Sequence, residues 1–543
     1  MGLMPGDYTI TETQPTGYFD GLDTAGTQGG TAGDDTITMS LDNHGPPIAE
    51  EYNFGELGGN PAVIGKTPFF ASGAGSGGQA TTGPVTAPQS GNPTAITSGT
   101  LVVSGTGENN VIFVALGRQE HRVVVDYVEY VYRTSEVETI LVDGQGGRDQ
   151  ITVLGSTLSD NFVMRPDYLR ATSARYDLKT KDIEIIRVEG GGGVDRVTLQ
   201  DSSGDDQLLA RPEYAALTGD NVRLFANDVD NITVSSRNGG NDVADVRGGT
   251  GADKYVGRPD SGTISGVGYE TRMLDFETIE VIASTGNDHA VLFDSAGNDR
   301  FEATPKLASL VGPGYSHTVA MSNVRVVSDA GGVDHAYLAG STGDDLYIGR
   351  PDSGVLRAVD RSYQTTVQNF DVIEVEGSRG NDSARFYDSE GDDRLVASPE
   401  VVTMRGITDK YQHQLTSFEH IVANASGGRD TAVITDTLGD DQFQSTSTSA
   451  TLRGQDNEYV VVARSFDDLR VTSTGGEDTA VWQNVVSSET VFARGEMSRI
   501  SGGSRTHRVD GFEQVTARTA DGETARAVVS NVDFLFSEVG DWI

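Results

Sequence analysis

The chain repeats itself with a period of about 47 residues over most of its length. In each copy an aspartate follows a stretch rich in Gly or Asn. These first aspartates are Asp149, Asp195, Asp242, Asp288, Asp334, Asp382, Asp430 and Asp478. A second aspartate follows the first at a constant offset in seven copies: Asp160, Asp206, Asp253, Asp299, Asp345, Asp393 and Asp441. Self-similarity of this kind indicates a repeat architecture, in which each unit buries its apolar face on its neighbours.

Two further markers keep the same register. A proline lies at a constant distance beyond the first aspartate in six copies, as Pro166 does after Asp149 and Pro212 after Asp195. An F-[DE]-x-[ILV] sequence closes most repeats, as at Phe276–Ile279. Four markers in one register throughout the array exclude chance similarity. Residues 100–148 match as a partial opening repeat, in which Asn110 takes the place of the second aspartate.

Each repeat has the pattern of short strands separated by turns. Apolar residues alternate in brief runs, such as Val197 and Leu199, between clusters of Gly, Asp, Asn and Ser. No helical spacing is sustained, so we expect about five strands and no helix in each repeat. The predicted fold is therefore all-β: a parallel β-solenoid of about eight repeats, roughly 75–80 Å long if each repeat makes two coils.

An eight-bladed β-propeller is the alternative architecture, because eight units of this size also fit that fold. The units lack a blade motif such as Gly-His…Trp-Asp, and the chain has only 2 Trp. We therefore favour the solenoid.

The sequence divides into four segments. Residues 1–57 lack the period and are a separate segment, whereas 58–99 are rich in Gly, Ser, Thr and Pro and are predicted to be a linker. Residues 100–524 form the repeat array. The period is lost after that point, and 525–543 are predicted to form a C-terminal cap or tail.

Composition narrows the range of partners. The chain has 80 acidic and 40 basic residues and a formal net charge of −40, so we expect no nucleic-acid partner.

No apolar run is long enough to span a bilayer. The absence of Cys excludes disulfides and thiol chemistry. The first residues do not resemble a signal peptide, and we expect the chain to be a fragment of a longer protein.

The aspartates at the repeat positions support two interpretations. Gly190–Thr198 matches the nonapeptide that binds calcium in β-rolls, where glycines turn the chain so that carbonyl and carboxylate oxygens face the ion. On this hypothesis all fourteen first and second aspartates from Asp149 to Asp441 are candidate Ca²⁺ ligands. On the other, Asp and Asn after Gly simply close turns by accepting backbone N–H groups. The sequence leaves both open.

The sequence predicts no catalytic site, and we expect that the protein is not an enzyme. The eight histidines are scattered, and paired carboxylates recur in so many repeats that they indicate structure. A β-helix polysaccharide lyase or hydrolase is the least favoured alternative. The sequence RPDSG occurs at Arg258–Gly262 and again at Arg350–Gly354. We expect its proline to fix a bend and its arginine to pair with a neighbouring Asp.

Two resemblances give the repeats a context. Residues 1–57, with YTITETQPTGY and YNFGE, resemble the C-terminal part of an SdrD B-like, prealbumin-type module of bacterial surface adhesins, and the resemblance implies a partial β-sandwich module. In related Cna B-type modules a Glu catalyses a Lys–Asn isopeptide crosslink, and the matching positions are Glu12 and Asn53. The strand that would supply the Lys is not part of this sequence, which leaves no Lys partner for such a crosslink.

The repeats, with LFDSAGNDRFEATP at Leu292–Pro305, resemble those of very large planctomycete-type surface proteins. The resemblance implies an extracellular or cell-surface location and a structural or adhesive role as an acidic stalk. The partner would be a surface polymer, glycan or protein, and copies could self-associate. A carbohydrate- or protein-binding module is the alternative function.

Overall fold

The computed structural model describes residues 93–220, 222–407, 410–503 and 505–543, together with five short strands near the N-terminus. It is all-β, with 59% strand and 1% helix, and forms a parallel β-solenoid of about 12 turns. This confirms the predicted solenoid and does not favour the propeller. The chain divides into two compact units, Met1–Pro84 and Val85–Ile543.

The first unit contains two small antiparallel sheets, in the orders β1-β4-β3 and β2-β5. Their strands are β1 (Gly6–Thr11), β2 (Tyr18–Asp20), β3 (Thr31–Gly33), β4 (Thr36–Leu41) and β5 (Glu56–Gly58). The proposed isopeptide positions Glu12 and Asn53 lie outside the described residues.

The strands of the solenoid follow in chain order. They begin with β6 (Thr94–Thr97), β7 (Thr100–Ser104), β8 (Val111–Leu116), β9 (Glu120–Val125), β10 (Val128–Arg133), β11 (Thr139–Asp143), β12 (Gln150–Leu154), β13 (Asn161–Arg165), β14 (Tyr168–Ser173), β15 (Tyr176–Lys181), β16 (Ile185–Glu189), β17 (Arg196–Gln200), β18 (Gln207–Arg211), β19 (Tyr214–Thr218), β20 (Arg223–Asn227) and β21 (Asn231–Ser235). They continue with β22 (Val243–Arg247), β23 (Lys254–Arg258), β24 (Ser261–Gly266), β25 (Tyr269–Leu274), β26 (Thr278–Ile282), β27 (His289–Phe293), β28 (Arg300–Ala303), β29 (Ala308–Gly312), β30 (Tyr315–Ala320), β31 (Asn323–Val327), β32 (His335–Ala339), β33 (Asp345–Arg350), β34 (Ser353–Ala358), β35 (Gln364–Gln368) and β36 (Val372–Glu376). The last are β37 (Ser383–Tyr387), β38 (Asp393–Ala397), β39 (Val401–Gly406), β40 (Gln412–Thr416), β41 (His420–Asn424), β42 (Thr431–Thr435), β43 (Gln442–Ser445), β44 (Ser449–Arg453), β45 (Val460–Arg464), β46 (Asp468–Thr472), β47 (Thr479–Val485), β48 (Glu489–Gly495), β49 (Met497–Gly502), β50 (Arg505–Asp510), β51 (Gln514–Thr519), β52 (Thr524–Val532), β53 (Leu535–Val539) and β54 (Asp541–Trp542). A short 3₁₀ turn spans Gln455–Asn457.

Each repeat contributes five strands, as the sequence predicted, and divides them between two facing sheets. In the repeat that starts at Asp149, β12 and β16 belong to one sheet, whereas β13, β14 and β15 form an antiparallel meander in the other. The next repeat exchanges the sheets, so that β17 and β21 lie with the first meander and β18–β20 lie opposite. The structural period is therefore two sequence repeats.

The meanders make the solenoid longer than the sequence predicted. Parallel pairs such as β12–β16 join successive turns, and each meander adds antiparallel strands to its sheet. Among the described residues, the sheet that contains β8 has 25 strands. At about 4.8 Å per strand, that ladder is roughly 115 Å long. The expected length of about 75–80 Å was wrong because it counted two coils per repeat and no meander. The solenoid also starts earlier than expected, since β6 lies in the predicted linker, and β52–β54 extend both sheets through the predicted tail.

Strands alternate buried and outward-facing side chains, and the inward ones form one continuous apolar core between the sheets. The phenylalanine of each F-[DE]-x-[ILV] sequence lies in it; Phe276 and Phe370 are both 4% exposed.

The two RPDSG sequences form the turns β23–β24 and β33–β34. Their arginines stack on rings, Arg258 on Phe293 at 4.1 Å and Arg350 on Tyr387 at 4.8 Å from the ring centre. The expected pairing with Asp is therefore wrong: among described residues neither arginine forms an ion pair.

A glycine two residues before each first aspartate explains part of the high Gly content. These residues are Gly147, Gly193, Gly240, Gly286, Gly332, Gly380, Gly428 and Gly476, with φ between 84° and 153°. A side chain here would also collide with the preceding turn of the solenoid. A Cβ on Gly332 would lie 2.0 Å from the carbonyl oxygen of Gly297. Only glycine meets both requirements.

Candidate metal-binding carboxylate clusters

The first and second aspartates pair between successive repeats rather than within one. Asp195 Oδ1 accepts a hydrogen bond from the backbone N–H of Asp160 at 2.8 Å. The same bond, at 2.7–2.9 Å, joins Asn110 to Asp149, Asp206 to Asp242, Asp253 to Asp288, Asp299 to Asp334, Asp345 to Asp382, Asp393 to Asp430 and Asp441 to Asp478. Because repeats exchange sheets, the pairs form two rows, one at the start of each sheet's strands. The first and second aspartates of a single repeat therefore belong to different pairs.

In seven of the eight pairs, the acid at the second position of the F-[DE]-x-[ILV] sequence or its equivalent extends the pair to the next turn. Glu277 Oε2 accepts the backbone N–H of Asp242 at 2.8 Å, and Asp371 Oδ2 accepts that of Asp334 at 2.9 Å. The acids at the equivalent positions Glu184, Asp230, Glu419, Asp467 and Glu513 make the same bond. Carboxylates thus satisfy backbone donors at the turns, where the strand ladders leave them unpaired. These bonds join successive turns of the solenoid, which is a longer-range role than the local turn closure that the sequence left open.

The second aspartate also holds its own turn. In Asp299, Oδ2 accepts the backbone N–H and hydroxyl of Ser295 four residues earlier, and Oδ1 accepts the hydroxyl of Tyr315 at 2.7 Å. Tyrosines Tyr269, Tyr363 and Tyr411 donate equivalently to Asp253, Asp345 and Asp393. These buried aspartates are therefore held by several donors at once.

In three turns a third aspartate joins the pair. One oxygen from each member lies within 4.8 Å of the others in the triads Asp294–Asp299–Asp334, Asp388–Asp393–Asp430 and Asp436–Asp441–Asp478. The clusters are almost entirely buried and could hold a metal ion. Sequence reasoning missed Asp294, Asp388 and Asp436. The available signal was an Asp five residues before the second aspartate, as in the D-S-x-G-x-D phrase. The other four Asp–Asp pairs of the predicted metal set lack a third member among the described residues.

Burial makes several of these acids hard to ionise. It raises the pKa of Asp382 to about 7, and the neighbouring Asp345 and Glu419 act in the same direction. The pKa of Asp430 is also raised to about 7, and that of Asp195 to about 6, again mainly by burial. Such groups carry protons near neutral pH or are neutralised by a cation.

Three buried histidines connect the two sheets across the core. His317 Nε2 donates to the carbonyl of Arg258 at 2.8 Å, so Nδ1 accepts the hydroxyl of Tyr255 at 2.7 Å. The same position two and four repeats later holds His413 beside Tyr347 and His507 beside Ser445. Three of the eight histidines therefore follow the two-repeat period, although the sequence interpretation treated all eight as scattered.

Within the described part of the chain, no helix has the length and apolar character needed to cross a membrane. No protein-family model matches the sequence, and the curated proteins contain no match to it. The geometry of the solenoid is therefore the basis for any functional conclusion.

Proposed function

We propose that this chain is a rigid structural spacer of an extracellular or cell-surface protein, an acidic stalk that holds other parts of the protein away from the surface. The observation that carries the proposal is the uninterrupted pair of strand ladders from β6 to β54, with one apolar core between them. Continuous backbone hydrogen bonds along the long axis resist bending and shear. The resemblance to large bacterial surface proteins supports the location.

The surface chemistry suits this role. The net charge of −40 keeps such rods apart from one another and from anionic polymers. The buried carboxylates would be neutralised in part by divalent cations, and oxygen-only ligand sets suit hard cations such as Ca²⁺. Calcium would then stiffen turns that the strand ladders already hold.

Imaging of single molecules tests the spacer role. Electron microscopy of the full chain in chelator should show the solenoid unit, Val85–Ile543, as a straight rod roughly 115 Å long. Antibodies raised against the repeats should label intact cells of the source organism. Bent or compact particles would contradict the mechanical role, and labelling only after lysis would contradict the location.

A glycan-binding role is the second candidate, favoured by one groove of about 440 Å³ on an outer sheet face. Glu302, Tyr337 and Glu374 lie side by side on the adjacent strands β28, β32 and β36. Carboxylates and an aromatic edge suit sugar hydroxyls and C–H groups. Arg300 stacks over Tyr337 at 4.3 Å, so a sugar would contact the ring edge. Binding on a glycan array that is lost in Glu374→Ala would support this role, and no binding would remove it.

A further inference from the structure

The three aspartate triads differ in how many of their oxygens already have partners. In the Asp294–Asp299–Asp334 triad, both Asp294 oxygens accept the N–H of Ala330, at 3.1 and 3.2 Å. Asp299 accepts Tyr315 and Ser295, and Asp334 accepts the N–H of Asp299 and, at 2.7 Å, the hydroxyl of Ser328. Every carboxylate oxygen of this triad therefore has a protein donor.

The Asp388–Asp393–Asp430 triad resembles the first. Both Asp388 oxygens accept donors from Ser426, and Asp393 accepts the hydroxyls of Tyr411 and Ser389. Among the described residues, no carboxylate oxygen of this triad is both fully buried and without a hydrogen-bond partner.

The Asp436–Asp441–Asp478 triad is different. Asp436 Oδ1 accepts the N–H and hydroxyl of Thr474, and Asp441 Oδ2 accepts those of Thr437. The other two oxygens, Asp436 Oδ2 and Asp441 Oδ1, have no hydrogen-bond partner among the described residues. Asp436 is 2% exposed and Asp441 is 0% exposed. Burying two carboxylate oxygens without a hydrogen-bond donor costs folding free energy unless a positive charge lies next to them.

An independent observation comes from the tyrosine of the same turn. Tyr459 follows Asp441 at the same spacing as Tyr411 follows Asp393, and Tyr411 donates to its aspartate. Tyr459 is 4% exposed, but its hydroxyl has no partner in the described structure. The tyrosine hydrogen bond that Asp253, Asp299, Asp345 and Asp393 accept is therefore missing at Asp441, although Tyr459 occupies the tyrosine position.

We propose that the Asp436–Asp441–Asp478 triad is a specific Ca²⁺ site and that the two sibling triads are closed by protein donors. Calcium–oxygen distances are about 2.3–2.6 Å, so oxygens on one ion lie up to about 5 Å apart. The three oxygens lie within 4.8 Å of one another and fit that geometry. No ion pair within the described residues involves any of the three aspartates. The ion would bind monodentate carboxylates and complete its shell with carbonyls or water.

This inference rests on the part of the proposed function that assigns cations to the clusters, and not on the spacer role. It predicts one ion per chain, whereas a calcium ladder along all the aspartates predicts seven or more. A rod that keeps its length in chelator but takes up no calcium would end this inference alone.

Calorimetric titration of the chelator-treated full chain with CaCl₂ is the test. We expect a single saturable site that Asp436→Asn weakens at least tenfold. The matched control Asp294→Asn, in the sibling triad, should leave affinity and stoichiometry unchanged. Thermal melts of both variants in chelator check folding, and calcium should raise the melting temperature of wild type and Asp294→Asn only. The inference is overturned by no binding at millimolar calcium, by equal losses in both variants, or by a stoichiometry of several ions.

Discussion

An inner repeat and the last repeat both bury an acid at the same position, but the side chain that donates a hydrogen bond to that acid differs between them. In an inner repeat, Asp393 accepts a hydrogen bond from the neutral Tyr411 at 2.5 Å. In the last repeat, Glu489 takes the place of the aspartate and Arg505 takes the place of the tyrosine, with Arg505 Nε 2.7 Å from Glu489 Oε1. Both acids and both partners are at most 5% exposed. In these two repeats a buried protein donor of matching size satisfies the acid, and the donor is neutral in one repeat and charged in the other.

The difference also predicts unequal costs. Removing a neutral donor leaves a polar group short of one bond, whereas removing a charged donor leaves a buried charge unpaired. Substitutions of Tyr411 and of Arg505 should therefore lower stability by different amounts and distinguish the neutral pair from the charged pair.

The largest effect is expected at Arg505. Arg505→Leu leaves Glu489 buried without its bidentate partner and should lower the free energy of unfolding of the C-terminal repeats by about 3–5 kcal/mol. Chemical denaturation followed by hydrogen exchange measures it. The double variant Glu489→Leu/Arg505→Leu should recover part of the loss, because it removes both charges. Equal losses in the single and double variants would show that packing, not charge, explains the cost.

A second prediction concerns the histidine beside each pair. Burial lowers the pKa of His413 to about 4, and its ring faces Tyr347, Tyr411, Phe386 and the carbonyl of Arg350. Stability that depends on a neutral ring is present above pH 6.5 and is lost as the pH falls through about 4. The size of the shift corresponds to about 3 kcal/mol.

Wild type should therefore lose about that much more stability than His413→Gln between pH 7 and pH 4, as measured by denaturation at each pH. The aspartates with raised pKa act in the opposite sense, because their contribution is present at low pH and is lost as the pH rises through about 7. Comparing variant with wild type removes their effect. Parallel pH curves for the two proteins would contradict the prediction.

A smaller effect is expected at the neutral pair. Tyr411→Phe removes the hydroxyl that donates to Asp393 and should cost about 1–3 kcal/mol, because that buried acid loses a donor. Equilibrium denaturation of the variant measures the loss. A cost as large as that of Arg505→Leu would remove the distinction between neutral and charged pairs.

The smallest effect is expected at Tyr459, which occupies the same repeat position but makes no hydrogen bond with its hydroxyl to any described residue. Tyr459→Phe should change stability in chelator by less than about 0.5 kcal/mol. It is therefore the matched control for Tyr411→Phe. A loss equal to that of Tyr411→Phe would show that the Tyr459 hydroxyl is bonded after all.

The five-strand repeat and the solenoid could be predicted from the sequence because alternating apolar residues and turn residues recur in one register. The exchange of sheets between repeats could not be predicted. Alternation of apolar and polar residues along a strand shows which side chains are buried, but it does not show which sheet the strand joins. For the same reason, the partner of Asp195 could not be identified as Asp160. The verbatim recurrence of RPDSG two repeats apart was one sign of the two-repeat period, and the spacing of His317, His413 and His507 was another. The Tyr–Asp and Arg–Glu pairs require the turns to be stacked and could not be predicted from composition.

Hydrogen exchange at the turn amides tests most directly whether the buried carboxylates hold successive turns together. Asp430 Oδ1 accepts the backbone N–H of Asp393 at 2.9 Å, so Asp430→Ala removes that acceptor without leaving a charge. We predict at least about tenfold faster exchange in peptides that contain Asp393, and no change there in the control Asp360→Ala at an exposed loop. Unchanged exchange at Asp393 in a folded Asp430→Ala protein would contradict the account.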